Sequence, residues 1–306
     1  MKQKIIVIMG PTGVGKTNLA LEIAKQYNAA IISADSMQVY KNLNIGTAKE
    51  SEEELKSVPH YLIDILEPDV LWNAGDFKKS AQQVLTMLQK DNVLPIIAGG
   101  TGMYVKALIY PYSFSNAVAD NKIREKYEEL AKQHGNLYVH NILKNIDPIS
   151  ASKIHQNQLK RVIRAIEIFE TTGKPKSQQG GEEELESEYE PLIIILNRER
   201  EELYERINLR VDKMLQQGLV EEARIIYQNN GFNKLSAEAI GYKQLIAYFN
   251  GETSLEFAIE KIKQLSRNYA KRQITFFKGF QNAIWFHPEK DKEKIFNTID
   301  QFVNKK

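Results

Sequence analysis

A chain of 306 residues that is 42% hydrophobic and 26% charged is long enough for one large or two ordinary domains and has the make-up of a globular protein, not of a disordered tract. Its formal charge is only +2, so affinity for a polyanion must come from where Lys and Arg cluster and not from the total. The absence of cysteine excludes disulfides, thiolate metal sites and a thiol nucleophile, and fits a reducing compartment.

The N-terminal "MKQKIIVIMG" has an apolar run too short for the roughly 7 to 15 residues of a signal peptide, and no stretch approaches the ~20 apolar residues of a membrane span. A cytoplasmic protein with no membrane contact is expected. In chain order, "KIIVIMG" reads as a buried strand feeding a Gly-rich loop, and "TNLALEIAKQY" as a helix, with Leu19, Ile23 and Tyr27 at helical spacing. Strand-length apolar runs follow at residues 30–33, 61–65, 93–98, 192–196 and 283–286, mostly separated by helical patterns. That alternation predicts an α/β fold, a P-loop core with a mainly parallel sheet.

Residues 115–190 break the alternation with helices and no convincing strand. They are expected to form a helical insertion domain between a first half of the core at 1–114 and a second half, with C-terminal helices, at 191–306. One helix over 150–172 should end at Gly173 and Pro175. The "SQQGGEEELESEYEP" after it reads as a solvated acidic connector.

The pattern G-x-x-x-x-G-K-[ST] is met in full by Gly10, Pro11, Thr12, Gly13, Val14, Gly15, Lys16 and Thr17, between a strand and a helix as the motif requires. Glycines let successive backbone N–H groups turn inward, Lys16 reaches phosphate oxygens, and Thr17 offers a hydroxyl to Mg²⁺. A nucleoside triphosphatase with this loop normally adds a second acid for Mg²⁺ at another strand end. Asp35, after the strand in "AAIISADSMQVY", is the candidate, as metal ligand or as base. No N-K-x-D segment for reading guanine is present, which leaves open a diphosphate carried on something other than a nucleoside.

Three further features bear on anions. On the helix "EELYERINLRVDKML", Arg210 lies about 340° round from Leu203 at ~100° per residue, within the stripe of Leu203, Ile207, Val211 and Met214. It points inward and needs an anionic partner. Around residue 160, Leu159, Val162, Ile163, Ile166 and Phe169 form an apolar face opposite Lys160, Arg161 and Arg164, with Ile168 falling among the basic residues. Residues 261–278 hold six basic and no acidic side chains, with Lys263, Arg267, Lys271 and Lys278 on one face of a continuous helix. The histidines show no metal-like pairing, and no nucleophile elbow is visible.

Taken in order, "GPTGVGKT", "ISADSMQVYKNLNIGTAK", "AGGTGMYVKALI", "LKRVIRAIEIFETTGKP", "AIGYKQLIAYFNGE" and "YAKRQITFFK" resemble the tRNA dimethylallyltransferase family in spacing, over residues 5–278. The resemblance implies an enzyme that moves a dimethylallyl group from its diphosphate to N6 of adenosine 37, beside the anticodon. It implies donor diphosphate on residues 10–17 with Mg²⁺ at Thr17, Asp35 as acceptor of the N6 proton, Thr101 near the bridging oxygen, and Arg210 on the diphosphate. It also implies tRNA contacts from Asp35, Ser36, Met37 and Gln38 and from Lys160, Arg161, Val162, Ile163 and Arg164. The partners are then dimethylallyl diphosphate and the anticodon stem-loop of tRNA, met by a monomer. Gly13 stands where the family usually has Ala, and "HQNQ" at residues 155–158 replaces a Pro-Asn-Asp-like stretch. A small-molecule kinase using ATP in the same loop, and an RNA-binding module whose loop is only a switch, are the rival readings.

Overall fold

The computed structural model describes residues 2–110, 120–178, 187–229, 231–233 and 235–305. The first part of the chain alternates β1 (Gln3–Met9), α1 (Lys16–Gln26), β2 (Ala30–Ser33), α2 (Glu52–Ser57), β3 (His60–Tyr61), α3 (Ala74–Lys90), β4 (Pro95–Gly99) and α4 (Gly102–Ile109). Four helices follow: α5 (Asn121–His134), α6 (Asn136–Ile146), α7 (Pro148–Lys153) and α8 (Leu159–Thr172). The last part runs β5 (Tyr189–Leu196), α9 (Arg200–Gln216), α10 (Leu219–Gln228), α11 (Tyr242–Phe249), α12 (Leu255–Phe277), β6 (Ile284–Phe286) and α13 (Lys292–Asn304).

The strands form one sheet in the order β3-β2-β4-β1-β5-β6, each parallel to its neighbours. Helices cover both faces, which is why the strand sequences do not alternate. Ile5, Val7 and Met9 face one core with Phe77, Leu85 and Phe277; Ile6 and Ile8 face the other with Leu19, Ile23 and Ile207. Because the sheet is parallel, the C-terminal ends of β1, β2 and β4 share one edge, with Met9 opposite Gly99 and Ser33 opposite Ala98. Ligands of open α/β sheets bind at that edge.

The chain divides into two compact units, residues 1–110 with 187–306, and residues 111–186, where the sequence put the insertion at 115–190. The second unit packs α5, α6 and α8 around Tyr127, Val139, Leu143, Val162 and Ile166. Two expectations need correction. The helix over 150–172 is two helices: Ile154 turns extended after α7, and Gln158 N donates to His155 O at 2.8 Å before α8 begins. The strand at 61–65 stops at Tyr61, because Leu62 and Asp64 take left-handed φ of 63° and 55°. Gly173 does end α8, with φ 71°. Most of the acidic connector, residues 179–186, lies outside the described residues. Among the described residues no helix is long and apolar enough to cross a membrane.

Candidate active site

The phosphate loop leaves β1 at Gly10, where a Cβ would stand 2.8 Å from Leu196 O on the neighbouring strand. Only glycine lets the two strand ends close up there. Gly13 and Gly15 have φ of 79° and 105°, and α1 opens at Lys16 with its positive end toward the loop. Two arginines hold the loop from α9 and the segment before it: Arg198 Nε donates to Val14 O at 2.9 Å and Arg206 Nε to Gly13 O at 3.0 Å. Lys16 Nζ folds over the loop onto Gly10 O at 2.9 Å and Pro11 O at 3.0 Å.

Lys16 and Arg210 are the electrostatic centre. Burial pulls the Lys16 ammonium down to about 8, the Arg210 charge adds to the fall, and Asp35 and Glu50 oppose it. Arg210 is likewise lowered by burial, with the same two carboxylates opposing. Arg210 reaches Thr47 O at 3.5 Å and forms no ion pair with a described residue. The sequence expectation that it points inward holds, since it lines the cavity below.

Glu50 escaped the sequence reading. Thr17 Oγ1 donates to Glu50 Oε1 at 3.1 Å, and Glu50 Oε2 is buried with no hydrogen-bond partner among the described residues. The loop that carries it is pinned from α10, where Glu222 accepts from the backbone N–H groups of Asn44, Ile45 and Gly46 at 2.9, 2.8 and 3.0 Å. Tyr242 donates to the same carboxylate at 2.6 Å, and its ring leaves no room for a side chain at Gly46. Two of the quoted motifs, "NIGTAK" and "AIGYKQ", therefore meet around one acid, Glu222.

Asp35 lies just past β2, its Oδ1 accepting from Met37 N at 2.9 Å. Ser36 N donates to Thr101 Oγ1 at 3.1 Å, and Thr101 N donates to Ala34 O at 3.1 Å. Asp35 and Thr101, 66 positions apart in sequence, are thus tied together. Gln38 turns away from the surface: its Oε1 accepts from Ser33 Oγ at 2.9 Å, although it still lines the cavity. Tyr269 of α12 enters beside them. Burial pushes its phenol up to about 12, the Asp35 charge adds to that, and Arg272 and hydrogen bonds from Thr101 and Gln273 oppose it. The loop, Asp35, Glu50, Arg210 and Tyr269 surround a cavity of about 780 Å³, and Val211, Met214, Ile240 and Ile262 give it an apolar wall.

The helical unit presents Lys160 and Arg161 to solvent beside an open groove of about 600 Å³ that Lys132, Asn136 and Asn157 also line. Val162 and Ile163 do not join them. Both side chains are buried in the unit's core, so the expected tRNA contact by these two is corrected: they are the apolar side of α8 that holds the basic side in place. Arg164 is also committed, to Glu167 at 2.6 Å. Glu167 is fully buried, accepts from Asp120 N at 2.8 Å and pairs with Arg124 through both carboxylate oxygens. Burial works to raise this carboxyl, and hydrogen bonds from Arg164, Arg124 and Asp120 win, holding it low.

The basic stretch on α12 is less free than its sequence suggests. Lys263 pairs with Asp212 at 2.6 Å and Arg267 donates to Asn208 at 2.5 Å, while Arg272 lines the cavity. His287 comes within 3.3 Å of Glu202 and 3.6 Å of Glu289, a proximity that sequence spacing did not reveal. Arg198 pairs with both acids and supplies the countercharge a metal would otherwise bring.

Comparison with known proteins places the chain in a family. The IPP transferase family profile matches residues 38–280. A tRNA dimethylallyltransferase of Thermoanaerobacter sp. strain X514 is 46% identical over 310 aligned residues, covering 99% of this chain and 98% of the relative. The full-length tRNA isopentenylpyrophosphate transferase of Bacillus halodurans superposes with a TM-score of 0.74 at 40% identity, covering 99% of this chain and 97% of that one. A eukaryotic dimethylallyltransferase, solved acting on tRNA, gives a TM-score of 0.81 at 27% identity over 98% of this chain and 79% of its own. With the profile spanning most of its length and a relative near half identical from end to end, the chain belongs to the IPP transferase family.

Proposed function

We propose that this protein transfers a dimethylallyl group from dimethylallyl diphosphate to N6 of adenosine 37 in tRNA, releasing diphosphate, as a monomer in the cytoplasm. The observation that carries the reading is the pair of half-buried cations, Lys16 and Arg210, lining one cavity with Asp35 and an apolar wall. A diphosphate supplies the anion both cations lack, and a branched five-carbon tail suits Val211, Met214, Ile240 and Ile262. A guanine base would find no N-K-x-D segment.

The target adenosine leaves the base stack so that its N6 can reach the donor, as enzymes that modify bases require. The N6 lone pair forms a bond to the first carbon of the dimethylallyl group as the bond from that carbon to the bridging oxygen breaks. The electron pair leaves with diphosphate, whose growing charge meets Lys16, Arg210 and the inward N–H groups of the loop. Preplaced charge of this kind is where most of the acceleration arises. Thr101 stands by the leaving oxygen, and the Asp35 carboxylate takes the N6 proton. Asp35, Ser36, Met37 and Gln38 form the tRNA side of the site, and Lys160 and Arg161 offer phosphate contacts from the helical unit.

The residues at Thr17 fit Mg²⁺. Its hydroxyl would be the loop's ligand to the ion while donating a hydrogen bond to Glu50 Oε1, and Glu50 Oε2, which has no hydrogen-bond partner among the described residues, would add negative charge beside it. When bound, the ion neutralises part of the diphosphate charge. Labelled dimethylallyl diphosphate incubated with tRNA should yield labelled tRNA and free diphosphate, and ATP should compete poorly. ATP hydrolysis without transfer to tRNA would favour the kinase reading instead.

A further inference from the structure

The motif "YAKRQITFFK" ends α12, and most of it has no part in the transfer chemistry. At its centre Gln273 is one of the few buried polar side chains, 6% exposed. Its Oε1 accepts from Thr12 N, in the phosphate loop, at 2.9 Å. Its Nε2 donates to Gly100 O, next to Thr101, at 2.9 Å. An uncharged primary amide carries an acceptor and a donor on one rigid plane, which is what a backbone N–H on one side and a carbonyl on the other demand.

The neighbourhood is built around that bridge. A Cβ on Gly100 would lie 2.4 Å from Gln273 Nε2 and 3.8 Å from Gly10 O, so the two loops and the amide meet with no space for a side chain. Gly102, just beyond, is closed off by Phe276 and Phe277 of the same helix, at 2.5 and 3.0 Å. Tyr269, one turn earlier on the same helix face, lays its hydroxyl against Thr101 and Gln273. The two loops are 261 and 173 positions from Gln273 in sequence, and one side chain joins them.

We propose that Gln273 is a positioning residue for the transfer step, fixing the phosphate loop against the loop at residues 99–101 so that donor diphosphate and Thr101 meet at the breaking bond. This rests on the transfer reading above. It gives the motif a task distinct from RNA binding. Both polar atoms of Gln273 are committed to the two loops; the side chain sets the separation between the groups that hold donor and leaving oxygen, and a misplacement of about 1 Å in such a site costs on the order of 10²-fold in rate.

Two variants separate this role from simple packing. Gln273→Met keeps length and bulk and loses both hydrogen bonds. Gln273→Glu keeps the acceptor for Thr12 N but turns a second oxygen toward Gly100 O, and donates there only when protonated. Steady-state transfer from dimethylallyl diphosphate to tRNA across about pH 5 to 9 should show kcat of Gln273→Met down about 10²-fold, with KM for tRNA within about twofold of wild type. The ratio of Gln273→Glu to wild-type kcat should climb as pH falls. Titration with inorganic diphosphate should show its Kd raised on the order of tenfold in Gln273→Met.

Wild-type kcat and Kd in Gln273→Met would overturn the proposal. So would a Gln273→Glu ratio that is flat with pH, which assigns the side chain to packing alone. If Gln273→Met does not fold, the pH ratio of Gln273→Glu decides. Absence of transfer by the wild type would count against the reaction, not the bridge, and the diphosphate Kd values would still test the bridge.

Discussion

Asp35 shows how much chemistry one strand-end carboxylate can carry. Its Oδ1 is held by Met37 N, the next backbone N–H is held by Thr101, and the Lys16 and Arg210 charges face it across the cavity. Asp35→Asn keeps the shape and removes the proton acceptor, so turnover should fall by about 10² to 10⁴ with tRNA affinity nearly unchanged; single-turnover transfer and a tRNA titration measure the two separately. Lys16 gives a pH dependence. With its folded value brought down to about 8, Lys16 is mostly charged at neutral pH, and the proton leaves as pH rises through that value. Diphosphate affinity should therefore fall on the alkaline side, by up to about tenfold per pH unit. Lys16→Arg, which keeps its charge, should not show the fall in isothermal titrations. Lys16, Asp35 and Arg210 were legible because a loop spelling, a strand end and a helical stripe each point to one residue. Glu50 and Gln273 were not, since their meaning comes from partners 33 and 261 positions away.

At the scale of the element, α8 carries the clearest lesson. Its apolar stripe was readable and is the core of the helical unit, yet that same burial removes Val162 and Ile163 from any RNA surface. Glu167 was unreadable, because a glutamate between two isoleucines looks exposed until Arg124 and Arg164 close on it. The basic residues of α8 accordingly divide. Changing Lys160 and Arg161 to Gln should weaken tRNA binding and lower its salt slope by about 0.7–0.9 per lost contact, with no change in donor affinity. Arg164→Gln should cost about 1–3 kcal/mol of stability, because it removes a charged hydrogen-bond partner from a buried carboxylate. Salt-dependent titrations with anticodon stem-loops and thermal unfolding distinguish them, and a normal salt slope in the double variant would show its cations to be merely solvated.

For the whole molecule, the α/β class was legible because strand-length apolar runs without alternation, spaced by helices, have few other solutions. Strand order was not, since β1 lies between β4 and β5 and nothing local specifies a partner so far along the chain. That order has a consequence for biosynthesis. One edge of β1, with the apolar run Ile5–Met9, pairs with β5, and Gly10 is closed off by Leu196 of that strand. A ribosome adding about 5–20 residues per second takes roughly 10 to 40 s to get from the one to the other. Throughout that interval the nascent chain displays an unpaired, apolar parallel edge, the kind of template that invites misassembly. The phosphate loop is closed only once β5 has emerged, so early release or a stall before β5 should send the fragment to chaperones.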